Sequence, residues 1–216
     1  MKATGYFLRT LCGVAIATFL IGVSRAQTAS PAAQNTAGPF GFRCGATKQA
    51  ISSLVGSLKQ EGMDQYSTAT APSPFPNVGY YLLTVSPTQG LLRVSGETND
   101  IETDTNGADL INQFNTIEAE LTKQYGKPTR REDFLKPGSA WVGEDEWTLS
   151  YLKNERTLAS HWVFTPANHC ITSIDLTAEV ADQTTGAILI GFDFNGYVPS
   201  PENLGKKKHA AMDMSK

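Results

Sequence analysis

"ITSIDLTAEVADQTTGAILIGFDF", residues 171–194, carries the pattern on which the fold turns. Ile174, Leu176, Ala178 and Val180 recur at every second position, and Ile188, Ile190, Phe192 and Phe194 do the same beyond the polar turn "DQTTG". Successive side chains of a strand point to opposite faces, so a period of two marks a strand with one apolar face. Two such runs joined by a short turn read as an antiparallel pair. Upstream, Leu158, Ser160, Trp162 and Phe164 repeat the period after "KNE", and Trp147, Leu149 and Tyr151 show it before that turn. Residues 147 to 194 therefore read as a four-strand meander. Within it, residues 144–154 are taken as strand on alternation, while Trp147, Tyr151 and Leu152 also fit a helix.

Working outward, the period changes. In Gly107–Tyr125, Leu110, Phe114, Ile117, Leu121 and Tyr125 recur at spacings of four and three, which places them on one face of a helix. Asn106 suits its N-cap, Asp109 suits the positive end of its dipole, and Gly126 with Pro128 stops it. Nearer the N-terminus, Thr47 can cap a shorter helix with Ala50, Ile51, Leu54, Val55 and Leu58 on one side. Tyr80–Ser86 and Leu91–Glu97, joined by "SPTQG", read as a hairpin. Residues 63–79 hold Pro72, Pro74 and Pro76 around Phe75 and read as a long extended connection. The expected class is α+β: an antiparallel β-sheet, hairpin plus C-terminal four-strand meander, covered on one face by two α-helices.

The ends read differently. Residues 1–26 have the form of a secretory signal peptide: Lys2 and Arg9 precede a 13-residue apolar run, Leu11–Val23, and Ser24-Arg25-Ala26 offers a cleavage site before Gln27. That run falls short of the roughly 18 apolar residues a membrane span takes, so no span is expected after cleavage. Residues 27–38 read as a flexible leader, 39–198 as a single α+β domain and 199–216 as a disordered tail carrying Lys206-Lys207-Lys208-His209. Cleavage removes three of 18 basic residues and leaves 15 against 21 acidic ones, a formal charge of −6. Such a balance argues against a nucleic-acid or anionic-membrane binder. The expected address is periplasmic or secreted.

Three phrases, "FGFRCGATKQAI" (40–51), "NGADLINQFNTIEAELTKQYGKP" (106–128) and the two tryptophans of the meander, together resemble a broad group of uncharacterised exported bacterial proteins. Gly45-Ala46-Thr47 at a helix start is similar, over a much shorter stretch, to outer-membrane assembly lipoproteins of the BamE/SmpA type, although this chain lacks their lipid-modified cysteine. These resemblances imply a bacterial cell-envelope address and no activity.

Chemistry is sparse. Removal of residues 1–26 leaves Cys44 and Cys170, and an even count in an exported chain favours a disulfide. The competing readings are a nucleophilic Cys44 with His161 or His169 as base, and a metal site of Cys44, His169 and Cys170; no CxxC or HxxxH spacing supports the latter. In "DIETDTNG" (100–107), Glu102, Asp104, Asn106 and Gly107 imitate the start of a calcium loop, but Glu replaces the first Asp and Gln113 the twelfth-position Glu. A polar turn delivering Asn106 as a cap explains the same residues. Glu144-Asp145-Glu146 reads as a solvated turn, and Trp141, Trp147 and Trp162 as core or half-buried strand residues. His161 should face away from Trp162, toward solvent. Neither a nucleophile elbow, a zinc-protease motif, a phosphate loop nor a dinucleotide fingerprint is present.

The expected function is a non-enzymatic binding or accessory module of the cell envelope, engaging a protein partner through a sheet face or edge, without a cofactor. The alternative is a hydrolase-type enzyme or small-ligand binder with a pocket under residues 63–79 near Phe75, in which His161 or His169 meets Asp or Glu.

Overall fold

A computed structural model describes residues 38–199; the signal-peptide, most of the leader and the tail readings lie outside the described residues. The chain opens with a 3-10 turn, Pro39–Gly41, then helix α1 (Lys48–Val55) and strands β1 (Lys59–Gln60), β2 (Gln65–Thr68), β3 (Val78–Ser86), β4 (Gly90–Thr98) and β5 (Ile101–Glu102). Helix α2 (Ala108–Tyr125), strand β6 (Arg130–Leu135), helix α3 (Trp147–Leu152) and strands β7 (Arg156–Asn168), β8 (Ile171–Val180) and β9 (Thr185–Phe194) follow. The strands form one antiparallel sheet in the order β1-β2-β3-β4-β9-β8-β7-β6, with β5 also pairing to β9. This is the α+β class read from the sequence, with helices on one face of an antiparallel sheet. Among the described residues no helix is long and apolar enough to cross a membrane.

Alternation along each strand makes one face apolar. Tyr81, Leu83 and Val85 of β3, Val94 of β4, Ile188, Ile190 and Phe192 of β9, Ile174, Leu176 and Ala178 of β8, and Leu158 and Trp162 of β7 are all buried there. Helix α2 lies on β8 and β9 and buries Leu110, Phe114, Ile117 and Leu121, each removed from water at a gain of about 1.5–3 kcal/mol. The start of α2 is held by Asn106 Oδ1 and Asp104 Oδ1, which accept from the Ala108 amide at 3.0 and 3.2 Å. The N-cap position itself is held by Gly107 and not, as the sequence suggests, by Asn106, and glycine is required there: its φ is +71°, and a Cβ would meet the Trp147 ring at 2.3 Å. At the far end the Trp162 indole donates to Gly126 O at 2.8 Å, fastening the helix terminus to β7.

The β3–β4 side of the sheet is covered otherwise. Thr47 caps α1 by accepting from the Ala50 amide, as the sequence suggests, but Ile51 alone of that helix is fully buried, and Ala50 and Leu54 are exposed. The opening segment supplies the cover: Phe40 packs edge-on against Tyr81 and Phe192, and Phe42 against Tyr81. A disulfide between Cys44 and Cys170, 126 residues apart, ties this segment to the turn between β7 and β8. His169 and Cys170 form the centre of that turn, both with positive φ, the conformation a two-residue hairpin with right-twisted strands demands.

Two expectations need correction. Residues 144–154 are not a strand: Glu144–Glu146 is a 3-10 turn and Trp147–Leu152 is α3. Helical spacing stacks Tyr151 on Trp147, ring centroids 5.2 Å apart, and Glu146 Oε2 accepts from the Gly143 amide at the helix entry. The fourth strand of the meander is β6, "RREDFL", whose charged composition hides an edge strand. Residues 63–79 are also not one long connection, since β2 occupies part of them and pairs with β3.

Candidate functional site

The other face of the sheet has no helix on it among the described residues, and its side chains fall into rows fixed by register. One row runs Thr84, Arg93, Asp193, Ser173; the next runs Leu82, Ser95, Gly191, Asp175, His161; a third runs Tyr80, Glu97, Leu189, Thr177. Apart from Ser173 and His161, these rows line a trough of about 380 Å³ spanning β2 to β8, to which Tyr197 and Pro199 of the segment after β9 also contribute.

Arg93 is its centre. The guanidinium pairs closely with Asp193 Oδ1 and lies 3.9 Å from Asp175 Oδ2, and Ser173 Oγ donates to Asp193 Oδ2 at 2.9 Å. Its flat face lies 5.3 Å from the Tyr197 ring centre, a cation–π contact. Gly191 makes this possible: a Cβ there would sit 2.5 Å from Arg93 Nη2, so the guanidinium lies across a gap in the middle row. Both Arg93 and Asp193 are largely withdrawn from water, with side chains 15% and 13% exposed. Burial raises the Asp193 carboxyl above its ordinary value; Arg93 and the Ser173 hydroxyl oppose the rise, and the nearby Asp175 charge adds to it.

Glu97 differs. It has no hydrogen-bond or ion-pair partner among the described residues, and its neighbours across the strands are Tyr80 and Leu189. Burial pushes its carboxyl up from the ordinary range, with a smaller push from the charge of Asp100. The trough is lined by five carboxylates, Glu61, Glu97, Asp175, Glu179 and Asp193, and one cation, Arg93. Glu61 is partly satisfied by Lys59 and the Ser67 hydroxyl. Such a surface presents a negative potential over an apolar floor of Leu82 and Leu189.

At the rim, His161 Nδ1 lies 2.8 Å from Asp175 Oδ1. The histidine does face away from Trp162, but toward a carboxylate and only 24% exposed, not freely to solvent. His169 is exposed at the tip of the β7–β8 turn, beside the disulfide. Phe75 is half-buried against the core and lines neither the trough nor the shallower hollow at Asn106, Val142, Trp147 and Arg156. Cys44 and Cys170 are joined to each other, which removes the nucleophile and thiolate-ligand readings. Glu102 is exposed opposite Thr185, while the oxygens of Asp104 and Asn106 turn to the Ala108 amide, so the calcium-loop residues do not converge. Among the described residues no group of three or more His, Cys, Asp or Glu is placed to hold a metal ion. Trp147 and Trp162 are buried in the core, and Trp141 is half-buried in the loop before α3.

The sequence motifs do not single out Arg93, Glu97, Asp175 or Asp193. The signal is present in the strand period: Arg93, Asp175 and Asp193 each sit between apolar residues, and Glu97 keeps the period of Arg93 on β4, so one face has to gather them. What the period does not give is strand order. β4 and β9 are about 100 residues apart in sequence, and only their pairing puts Arg93 opposite Asp193. No protein-family model, curated protein or solved structure matches the chain.

Proposed function

We propose that this chain is an exported, disulfide-stapled binding module whose open sheet face takes a cationic segment of a protein partner in the cell envelope. One observation carries the reading: the trough on the uncovered face holds five carboxylates against one guanidinium, and that guanidinium is already engaged by Asp193. Glu97 is the unsatisfied member. A ligand ammonium at about 4 Å from it would gain roughly 4 kcal/mol of gross attraction at a near-surface dielectric, before desolvation is subtracted. Leu82, Leu189 and Tyr80 offer apolar surface to the aliphatic stem of a lysine or arginine.

Face docking is better supported than strand addition. The sheet edges are a two-residue strand, β1, and the charged β6, both of which discourage pairing with a further chain. The disulfide fits an oxidising compartment, and the signal-peptide form of residues 1–26 and the resemblance to exported proteins support a periplasmic or secreted address.

The His161–Asp175 pair favours a second reading, a hydrolase in which Asp175 orients His161 as a general base. Two serine hydroxyls on the strands around it, β7 and β8, are committed elsewhere: that of Ser173 is turned to Asp193, and Ser160 lies on the covered face with its hydroxyl given to Glu118. Titration with a trilysine peptide separates the two readings. Binding that Glu97→Gln weakens by about 5-fold, with triglutamate not bound, supports the module. Ester or amide hydrolysis lost in His161→Ala, with no affinity for trilysine, would replace it with the enzyme.

A further inference from the structure

The chain itself carries a cationic segment a few residues beyond the trough in sequence. After β9 ends at Phe194, the backbone turns at Asn195 and Gly196, with the Tyr197 amide donating to Phe194 O at 3.0 Å. This turn brings Tyr197 and Pro199 onto the open face, where both line the trough. The sequence continues "SPENLGKKKH", placing Lys206, Lys207 and Lys208 seven to nine residues beyond Pro199. Seven extended residues reach roughly 23–25 Å, whereas the strands from β2 to β8 span four spacings, about 19 Å. Any carboxylate of the trough is therefore within reach of these lysines.

From this placement we propose that residues 200–209 lie back across the trough, with Lys206–Lys208 against Glu97 and its neighbouring carboxylates, so that the chain occupies its own binding face in cis. The inference rests on the cation-binding reading of that face and deepens it, because a partner must then displace the lysines. Charge supports this occupant: three ammonium groups meet a trough lined by five carboxylates and one guanidinium, with Glu97 lacking an ion-pair partner among the described residues. Tethering supports it as well, since a covalent link of a few residues gives an effective concentration far above that of a separate chain, enough to populate a contact that would be weak between separate molecules.

Zero-length carbodiimide cross-linking of the full chain at low micromolar concentration, read by peptide mass spectrometry, tests the placement. The expected products join Lys206, Lys207 or Lys208 to Glu97 or Glu179 within one chain, and they disappear in 1 M salt. The same lysines linked equally to remote carboxylates such as Glu120 and Asp145, or linked only between isotopically distinct chains, would overturn it. A second measurement uses the full-length variant Lys206→Gln/Lys207→Gln/Lys208→Gln, which should bind trilysine about 3-fold or more tightly than the parent chain. Equal affinity would overturn the self-occupancy and leave the cation-binding face standing. Trilysine bound by neither chain would overturn that face and this inference with it.

Discussion

The two faces of the sheet are built from the same strands, residue by alternate residue, yet they are organised by opposite rules. On the covered face, Leu83, Val94, Ile190, Ile174 and Trp162 meet α2 and the Phe40–Phe42 segment in a continuous apolar layer. On the open face, the same strands present Leu82, Arg93, Ser95, Glu97, Asp175 and Asp193, and leave a gap at Gly191. The covered face gains stability from area removed from water. The open face gives some of it back, because Glu97 and Asp193 are carboxylates held in surroundings that favour their neutral forms. Retaining costly charges on a face that a helix could have covered is what the binding role proposed for it would require.

The comparison is sharpest where stability and binding should separate. Phe114→Ala empties the centre of the α2 contact and should cost about 3–5 kcal/mol in urea unfolding, with trilysine affinity of the folded fraction unchanged. Loss of the Cys44–Cys170 bond, as the Cys44→Ser/Cys170→Ser pair, should cost about 2–5 kcal/mol for a loop of this length. A destabilisation under 1 kcal/mol in the same assay would show that the opening segment is held by Phe40 and Phe42 without the staple.

Substitutions on the open face should be milder for folding and larger for binding. Gly191→Ala forces Arg93 aside and is expected to cost about 1–3 kcal/mol. In an Arg93→Ala background the same change should be nearly silent, a coupling that a double-mutant cycle measures directly. Additive effects would mean that Arg93 does not lie across Gly191.

The smallest effect is a pH slope. Burial holds the folded-state carboxyl of Glu97 above its ordinary, unfolded-chain value. In the interval between the two values the folded chain holds the extra proton, so stability falls as pH rises through that interval and stays lower above it. Glu97→Gln should remove this component and leave the same-signed contribution of Asp193 in place. Trilysine binding should run the other way, strengthening as Glu97 ionises. A stability–pH curve that Glu97→Gln does not flatten would show that Glu97 is not desolvated.

Much of the covered face is legible in the amino-acid sequence. The α2 spacing, its end at Gly126, the Thr47 cap, the β3–β4 hairpin and the β7–β9 alternation follow from local periods that tertiary packing reinforces. Elsewhere local pattern and context disagree. Trp147, Leu149 and Tyr151 alternate in sequence, but i,i+4 stacking of Trp147 on Tyr151 favours a helical turn. Arg130–Leu135 shows no apolar period because an edge strand is better served by charge than by apolar surface. The open-face site is legible only as polar positions; its assembly depends on β4 pairing with β9, a long-range choice that no local spacing encodes.

The most direct measurement is amide chemical-shift mapping of the full-length protein on titration with trilysine. A binding face on the open side requires saturable shifts at Glu97, Leu189, Gly191 and Asp175, with little change at Leu121, Ile117 and the rest of α2. Shifts that are absent, or that follow the exposed carboxylates of α2 and the Glu144–Glu146 turn instead, would contradict it.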